Sequence, residues 1–280
     1  MININNFTDG SKEQGKRTDA FTIAVAGKGG TGKTTLAGLI IRVLVEKELG
    51  SVLAVDADPN ANLNELLGFE IQGTIGELEA EVLEDEGEIP PGMTKKRWME
   101  YNLQQILAEG KGKDLLVMGR GEGPSCYCAV NNILREYMDN LSRNYHFVVM
   151  DNEAGMEHLS RRTTSGVDTL LVVSSENPVA IKSAGRISEL VQDLGIRVEK
   201  TYLVLNGISG ERSERTKRKI DKLDLELLAE IPRDENILEL CRKGEPLVRL
   251  SDESPSLVEV DQLVEEILPS SMKTPTANRS

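Results

Sequence analysis

The chain has 280 residues, of which 39% are hydrophobic, and a formal net charge of −13. This size and apolar content predict a soluble globular protein, and the negative charge argues against a nucleic-acid-binding surface and against binding to anionic membranes. No apolar run approaches the roughly 18–20 residues that span a bilayer, residues 1–20 lack a secretory core, and the cysteines lack disulfide spacing, so we expect a cytoplasmic protein.

Strand-like apolar runs alternate with helix-like stretches along the chain. The predicted strands are Phe21–Ala26, Val52–Asp56, Leu115–Met118, Phe147–Asp151, Thr169–Ser174, Tyr202–Asn206 and Glu226–Ala229. The predicted helices are Lys33–Leu49, Asn60–Leu67, Lys95–Leu107, Ala129–Ser142, Ile181–Leu194, Arg212–Leu223 and Leu257–Leu268. Continuous apolar strands separated by helices predict a doubly wound, mainly parallel α/β sheet that is covered on both faces.

The predicted domain covers residues 21–268, between unstructured tails at 1–20 and 269–280. Residues 70–112 break the alternation, because an acidic stretch is followed by a proline turn and then by a basic, aromatic stretch. We interpret this segment as a helical insertion. It serves either as a mobile cap or partner surface, or is a merely solvated excursion.

The most informative stretch is a glycine-rich loop between the first predicted strand and helix: Gly27, Lys28, Gly29, Gly30, Thr31, Gly32, Lys33 and Thr34. It completes the frame G-x-x-x-x-G-K-[ST] of a phosphate-binding loop. Glycines let the backbone wrap closely around a polyphosphate, with its N–H groups pointing inward at a helix N-terminus. We expect Lys33 to reach the β- and γ-phosphates, Thr34 to ligate Mg²⁺ and Thr35 to bond a phosphate oxygen.

Carboxylates follow two of the predicted strands. Strand ends carry the ligand crevice of open α/β sheets, so Asp58 is expected to orient a water near the γ-phosphate. Asp56 is expected to support the Mg²⁺ shell or the loop, and Asp151 to hold Mg²⁺. The alternative for each is an aspartate that caps a helix or a turn. Asn206 and Pro232 end later strands, at positions suited to an adenine-binding loop but typical of ordinary turns as well.

A pair of cysteines, Cys126 and Cys128, lies in a glycine-rich loop after the strand Leu115–Met118. Close cysteines in a cytosolic protein indicate metal or redox chemistry, yet one pair supplies only two of the four ligands that a soft metal usually takes. A two-fold symmetric dimer would supply four. The alternative is a pair of buried small apolar side chains. We interpret Cys241, in a predicted helix, as a core residue.

Lys28 directly follows the first glycine of the loop. With this second lysine, the chain resembles the MinD/ParA/nitrogenase-iron-protein class of ATPases, which have a deviant phosphate loop. The resemblance covers Phe21 to Leu268. It implies that ATP/ADP and Mg²⁺ are bound, that two subunits form a homodimer, and that Lys28 reaches the partner's ATP. It also implies that Lys28, Lys33 and Asp58 are catalytic, and that Asn206 and Pro232 contact adenine.

The segments 119–128 and 151–162 resemble one branch of this class, the CooC-type ATPases that mature carbon monoxide dehydrogenase and the related acetyl-CoA synthase. This resemblance implies that Cys126 and Cys128 bind Ni²⁺, or Zn²⁺ in its absence, between two subunits and pass it to a client nickel enzyme. Two alternatives stay open: an Fe–S carrier or ATP-gated reductase, and a MinD- or ParA-like positioning ATPase. The acidic last helix argues against a membrane partner, and the negative net charge argues against a nucleic-acid partner.

Overall fold

The computed structural model describes residues 19–60, 62–84, 89–120, 128–153 and 166–275. The strands in these stretches are β1 (Phe21–Gly27), β2 (Val52–Ala57), β3 (Ala108–Glu109), β4 (Lys113–Val117), β5 (Phe147–Asn152), β6 (Val167–Ser174), β7 (Val198–Ile208) and β8 (Glu226–Pro232). The helices are α1 (Lys33–Glu46), α2 (Leu63–Leu67), α3 (Ile75–Glu84), α4 (Lys95–Ile106), α5 (Cys128–Ser142), α6 (Pro178–Asp193), α7 (Glu214–Ile220), α8 (Glu235–Lys243) and α9 (Pro255–Ile267).

The strands form one sheet in the order β3-β4-β2-β5-β1-β6-β7-β8. All neighbours are parallel except β3, which runs antiparallel to β4 at the edge. The predicted mainly parallel α/β fold is therefore confirmed. The sequence prediction missed β3, because a two-residue strand has no periodicity and exists only through its pairing with β4.

Helices cover both faces of the sheet, as the continuous apolar strands predicted. Ile23 and Val25 of β1 belong to a core layer with α1, α2 and α9, whereas Ala24 and Ala26 belong to a second layer with α3 to α6. None of the described helices is long and apolar enough to cross a bilayer.

The insertion contributes to the core. The inner faces of α3 and α4 bury Ile75, Met99 and Leu103 in the second layer, while Tyr101 on the outer face of α4 is 57% exposed. A merely solvated excursion would bury none of these side chains, so the insertion is an integral part of the fold with one exposed face.

The predicted tails are described only in part. A short 3-10 turn at Ser270–Met272 follows α9, and Met272 packs against the first core layer. The chain is therefore ordered beyond residue 269, where the sequence predicted a tail. Residues 1–18 and 276–280 lie outside the described stretches, and the tails stay predictions there.

Candidate functional site

The glycine-rich segment forms the turn from β1 into α1. Gly32 is the N-cap of α1 and has a φ of 86°, a left-handed conformation that glycine adopts without strain. The Lys28 carbonyl accepts hydrogen bonds from the N–H and the hydroxyl of Thr31, at 3.3 and 2.8 Å. The turn therefore presents the free N–H groups of a helix N-terminus, as a phosphate loop requires.

Asn206 braces this loop from the end of β7. Its Nδ2 donates to the Thr31 carbonyl at 2.9 Å, and a Cβ added to Gly32 would lie 2.0 Å from the same nitrogen. The amide is thus committed to the loop, and its expected contact with adenine stays a prediction. Pro232 ends the neighbouring strand β8, where its carbonyl accepts from the Ser256 hydroxyl at 2.9 Å.

Two fully buried carboxylates lie side by side beneath the loop, because Asp56 of β2 pairs in register with Asp151 of β5. Asp56 Oδ1 accepts from the Asp58 N–H at 3.1 Å, and Oδ2 accepts from the Leu63 N–H at 2.9 Å. Asp56 therefore organises the loop that leads into α2. In contrast, neither oxygen of Asp151 has a hydrogen-bond partner among the described residues.

The difference in hydrogen bonding also affects the pKa values of the two carboxyl groups. Burial, together with the negative charge of Asp56, raises the pKa of Asp151 to about 7. The nearby Thr34 hydroxyl and the Lys33 ammonium oppose the rise. Burial raises the pKa of Asp56 too, but the backbone N–H groups of Leu63 and Asp58 oppose it.

A carboxylate that is buried without donors, beside a threonine at the start of α1, fits the hard oxygen ligation that Mg²⁺ prefers. Thr34 and Asp151 lie near each other, and their expected role as Mg²⁺ ligands stays a prediction. Asp56 lies next to Asp151, but both of its oxygens already accept hydrogen bonds from backbone N–H groups.

A cavity of about 440 Å³ opens at this edge of the sheet, a size typical of small-molecule sites. Seven of the predicted residues line it: Gly29, Gly30, Gly32, Lys33, Thr34, Thr35 and Asp58. Lys33 is buried at its floor, whereas Lys28 is exposed beside it. Asp58 is anchored by Asn60, whose N–H and Nδ2 both donate to Asp58 Oδ1, at 2.9 and 3.0 Å.

The far wall of the cavity was not predicted. It contains Cys241, Gly244 and Glu245, at and after the end of α8. Cys241 is a free, exposed cysteine, so its interpretation as a core residue was wrong. It shares a helix face with the buried Ile237, which explains the error, but the last turn of α8 opens onto the cavity instead of the sheet.

Arg42 is a second residue that the sequence did not single out. This buried side chain of α1 donates from Nη1 to the carbonyls of Leu247 and Leu250, each at 2.8 Å, and from Nη2 to Asp252 at 2.6 Å. It fastens the helix of the phosphate loop to the chain that follows the far wall. An arginine in a predicted helix usually indicates a solvated face, so only tertiary structure identifies this tether.

The predicted cysteine site is outside what the structure describes. Cys126 falls in the undescribed residues 121–127, and Cys128 begins α5 without a described side chain. Residues 154–162 of the segment that resembles CooC-type ATPases are also outside the described stretches. Among the described residues, no group of three or more His, Cys, Asp or Glu side chains is arranged to hold a metal.

Comparisons with known proteins agree with this geometry. The chain is 42% identical to an "uncharacterized ATP-binding protein" of Methanocaldococcus jannaschii, over 88% of this chain and 98% of the relative. It is 31% identical to the carbon monoxide dehydrogenase accessory protein CooC of Rhodospirillum rubrum, over 62% of this chain and 70% of that protein. The septum site-determining protein MinD of Pyrococcus horikoshii, solved with Mg-ADP, superposes with a TM-score of 0.62 at 23% identity, covering 89% of this chain and 96% of that one.

Residues 22–247 match the model of the CobQ/CobB/MinD/ParA nucleotide-binding domain, a region that includes the phosphate loop, both buried aspartates and the far wall of the cavity. The ligand of such a domain is ATP or ADP with Mg²⁺, and its reaction is ATP hydrolysis. The chain belongs to the CobQ/CobB/MinD/ParA nucleotide-binding family and is an ATPase.

Proposed function

We propose that the protein is a cytoplasmic, dimerising ATPase that carries nickel to carbon monoxide dehydrogenase or acetyl-CoA synthase. The observation that carries this proposal is the position of the chain leading into the cysteine loop. Met118, directly after β4, donates its N–H to the Asp56 carbonyl at 2.8 Å. The stretch that leads to Cys126 and Cys128 therefore starts beside the aspartate loop of the nucleotide site. The 31% identity to CooC supports the same class of client.

The roles of the nucleotide-site residues are part of this proposal. Lys33 and the loop N–H groups bind the phosphates, and Thr34 and Asp151 hold Mg²⁺, which neutralises phosphate charge when bound. Asp58 orients the attacking water, and Asp56 braces the loop that carries Asp58. Lys28, exposed at the cavity edge, is free to reach the nucleotide of a second subunit. Asn206 and Pro232 are proposed to lie on the adenine side.

Nickel is the cargo in this proposal. Each subunit contributes Cys126 and Cys128, so that a dimer surrounds one ion with four thiolates. ATP-driven closure sets the spacing of the two pairs, and hydrolysis relaxes it, which releases the ion to a docked client. A two-state element biased by the γ-phosphate is sufficient for this coupling.

We expect the double variant Cys126→Ala/Cys128→Ala to lose nickel affinity by more than about 100-fold, because even outer-shell partners of a metal site account for 10- to 100-fold. The measurement is anaerobic titration of the ATP-bound protein with Ni²⁺. Cys241→Ala, which removes the exposed cysteine at the nucleotide cavity, is the matched control and should bind as the parent does. Equal affinity in the double variant and the parent would overturn the metal site, and a brown parent protein would identify an Fe–S carrier instead.

A second candidate function, a DNA-binding positioning ATPase, is favoured by one local observation. The stretch from Arg212 to Lys222 carries six basic and two acidic side chains in an otherwise acidic protein. Five exposed cations on α6, on α7 and just after it have no ion-pair partner among the described residues: Lys182, Arg186, Arg215, Arg218 and Lys222. The net charge of −13 describes the whole chain and does not reveal this local basic surface. A positioning ATPase that binds membranes is disfavoured, because the apolar face of α9 is buried against the core.

Fluorescence anisotropy with a short DNA duplex, at physiological salt and with a non-hydrolysable ATP analogue, separates the two functions. For a nickel carrier we expect no binding tighter than about 100 µM, the weak end of non-specific DNA affinity. Salt-sensitive binding in the micromolar range that Arg215→Glu/Arg218→Glu abolishes would favour the positioning ATPase. Lys95→Glu/Arg97→Glu, on the exposed start of α4, controls for the change in net charge.

A further inference from the structure

A chain of hydrogen bonds connects the water-orienting aspartate to an arginine outside the cavity. Asn60 Nδ2 donates to Asp58 Oδ1 at 3.0 Å, and Arg120 Nη2 donates to Asn60 Oδ1 at 3.5 Å. Asn60 and Arg120 are far apart in sequence but share this contact at the surface. No hydrogen bond reaches the second oxygen of Asp58 from any described residue, so that oxygen is available to a water.

The chemistry of the three groups fixes the direction of this chain. A carboxylate only accepts, a guanidinium only donates, and a carboxamide does both from opposite ends. Asn60 between Asp58 and Arg120 must therefore turn its NH₂ toward the carboxylate and its oxygen toward the cation. The Asn60 backbone N–H also donates to the same Asp58 oxygen, at 2.9 Å, so this oxygen accepts two hydrogen bonds from Asn60.

The backbone of Arg120 is itself held by the insertion. The Gly76 N–H, in the first turn of α3, donates to the Met118 carbonyl at 2.8 Å. A Cβ added to Gly76 would lie only 2.1 Å from the Arg120 carbonyl oxygen, so only glycine permits this close approach. Met118 also bonds the Asp56 carbonyl, and the segment Met118–Arg120 is therefore fixed between α3 and β2.

We propose that Arg120 is a positioning residue for ATP hydrolysis, which acts through Asn60 to hold Asp58 in its water-orienting position. The inference rests on the role of Asp58 in the proposed function. It gives the insertion a purpose: α3 fixes the place from which Arg120 acts. A change in the cysteine-containing segment that follows Arg120 would shift Met118–Arg120. Such a shift changes the rate of ATP hydrolysis, although none of these residues contacts ATP.

The test is steady-state ATP hydrolysis by the full-length protein and its Arg120→Ala, Asn60→Ala and double variants. Arg120→Ala should lower kcat by about 3- to 30-fold, the range of coupling through a residue that contacts neither ligand. Its KM for ATP should stay at the parent value, because the phosphate loop is untouched. The double variant should be no slower than Asn60→Ala, since both changes break one chain. Arg120→Lys should recover part of kcat, and Arg97→Ala, an exposed arginine at the start of α4, should match the parent.

Three results would overturn the inference. These are a parent-like kcat in Arg120→Ala, effects of the two single variants that multiply in the double variant, or a rise in KM together with lowered thermal stability. Asp58→Ala separates this inference from its premise. If Asp58→Ala hydrolyses ATP at the parent rate, the role of Asp58 is wrong. If it is inactive while Arg120→Ala is normal, only the action of Arg120 is wrong.

Discussion

Replacing Asp151 with asparagine should stabilise the nucleotide-free, metal-free protein at neutral pH and abolish Mg²⁺-dependent ATP hydrolysis. Asp151 is fully buried, neither oxygen accepts a hydrogen bond from the described residues, and the Asp56 carboxylate lies beside it. Such a charge destabilises the fold until a cation binds it. Asparagine removes the charge and also the ligand that we assign to Mg²⁺.

The stabilisation by Asp151→Asn should depend on pH in a defined direction. The pKa of Asp151 is raised from 3.8 to about 7, so the folded state holds a proton that the unfolded state has lost between these values. The group's contribution is therefore fully present below pH 4 and is lost as pH rises through 7, by on the order of 4 kcal/mol in total. Parent and variant should have similar stability near pH 4, and the variant should be more stable near pH 8.

Urea unfolding of EDTA-treated protein across this pH range measures the difference. Asp56→Asn is the matched control, because Asp56 is equally buried on the neighbouring strand but accepts two backbone N–H bonds. That variant should be destabilised by about 1–3 kcal/mol, since it exchanges an acceptor for a donor. A parent protein that gains stability between pH 5 and 8 relative to Asp151→Asn would contradict the assignment.

Gly32→Ala should weaken ATP binding strongly. The added methyl group would lie 2.0 Å from Asn206 Nδ2, and a φ of 86° is unfavourable for alanine. Either the Asn206 side chain or the loop must therefore shift, which breaks the bond to Thr31 that braces the N–H groups at the start of α1. We expect a loss of affinity of at least about 100-fold, corresponding to roughly 3 kcal/mol.

Titration with a fluorescent ATP analogue measures the affinity of Gly32→Ala, and circular dichroism verifies that the variant folds. Gly92→Ala is the control, because Gly92 has the same φ of 86° but no atom within 4 Å of an added Cβ. It reports the backbone strain alone, about 1 kcal/mol, and should bind ATP normally. Parent-like affinity in Gly32→Ala would mean that Asn206 does not brace the loop during binding.

Much of the fold could be predicted because its determinants are local. Each central strand is a continuous apolar run, and the glycine-rich frame identifies both the turn after β1 and the start of α1. The seven predicted residues that line the cavity follow from this frame and from the rule that ligands bind at strand ends.

The remaining features depend on contacts between distant segments. The sequence presents Asp56 and Asp151 alike, as aspartates that end apolar strands. Only the register of β2 beside β5, and the turn of the chain back to Leu63, give one of them backbone partners and leave the other without. The bond of Asn206 to the loop could not be predicted, because Thr31 lies more than 170 residues away in the sequence. Cys241 and Arg42 were missed because their helix faces are decided by what packs opposite them.

The Arg42 tether has a consequence for the route of the nucleotide. Because one guanidinium fastens α1 to Leu247, Leu250 and Asp252, we expect the phosphate loop and the chain behind the far wall to move together. The loop with Asp58 and Asn60 is held at its base by the buried Asp56 carboxylate, and at the surface by the exposed bonds between Asn60, Asp58 and Arg120. Product release is therefore expected to begin where the exposed bonds of Asn60 break, while the Arg42 tether keeps the Cys241 side in place.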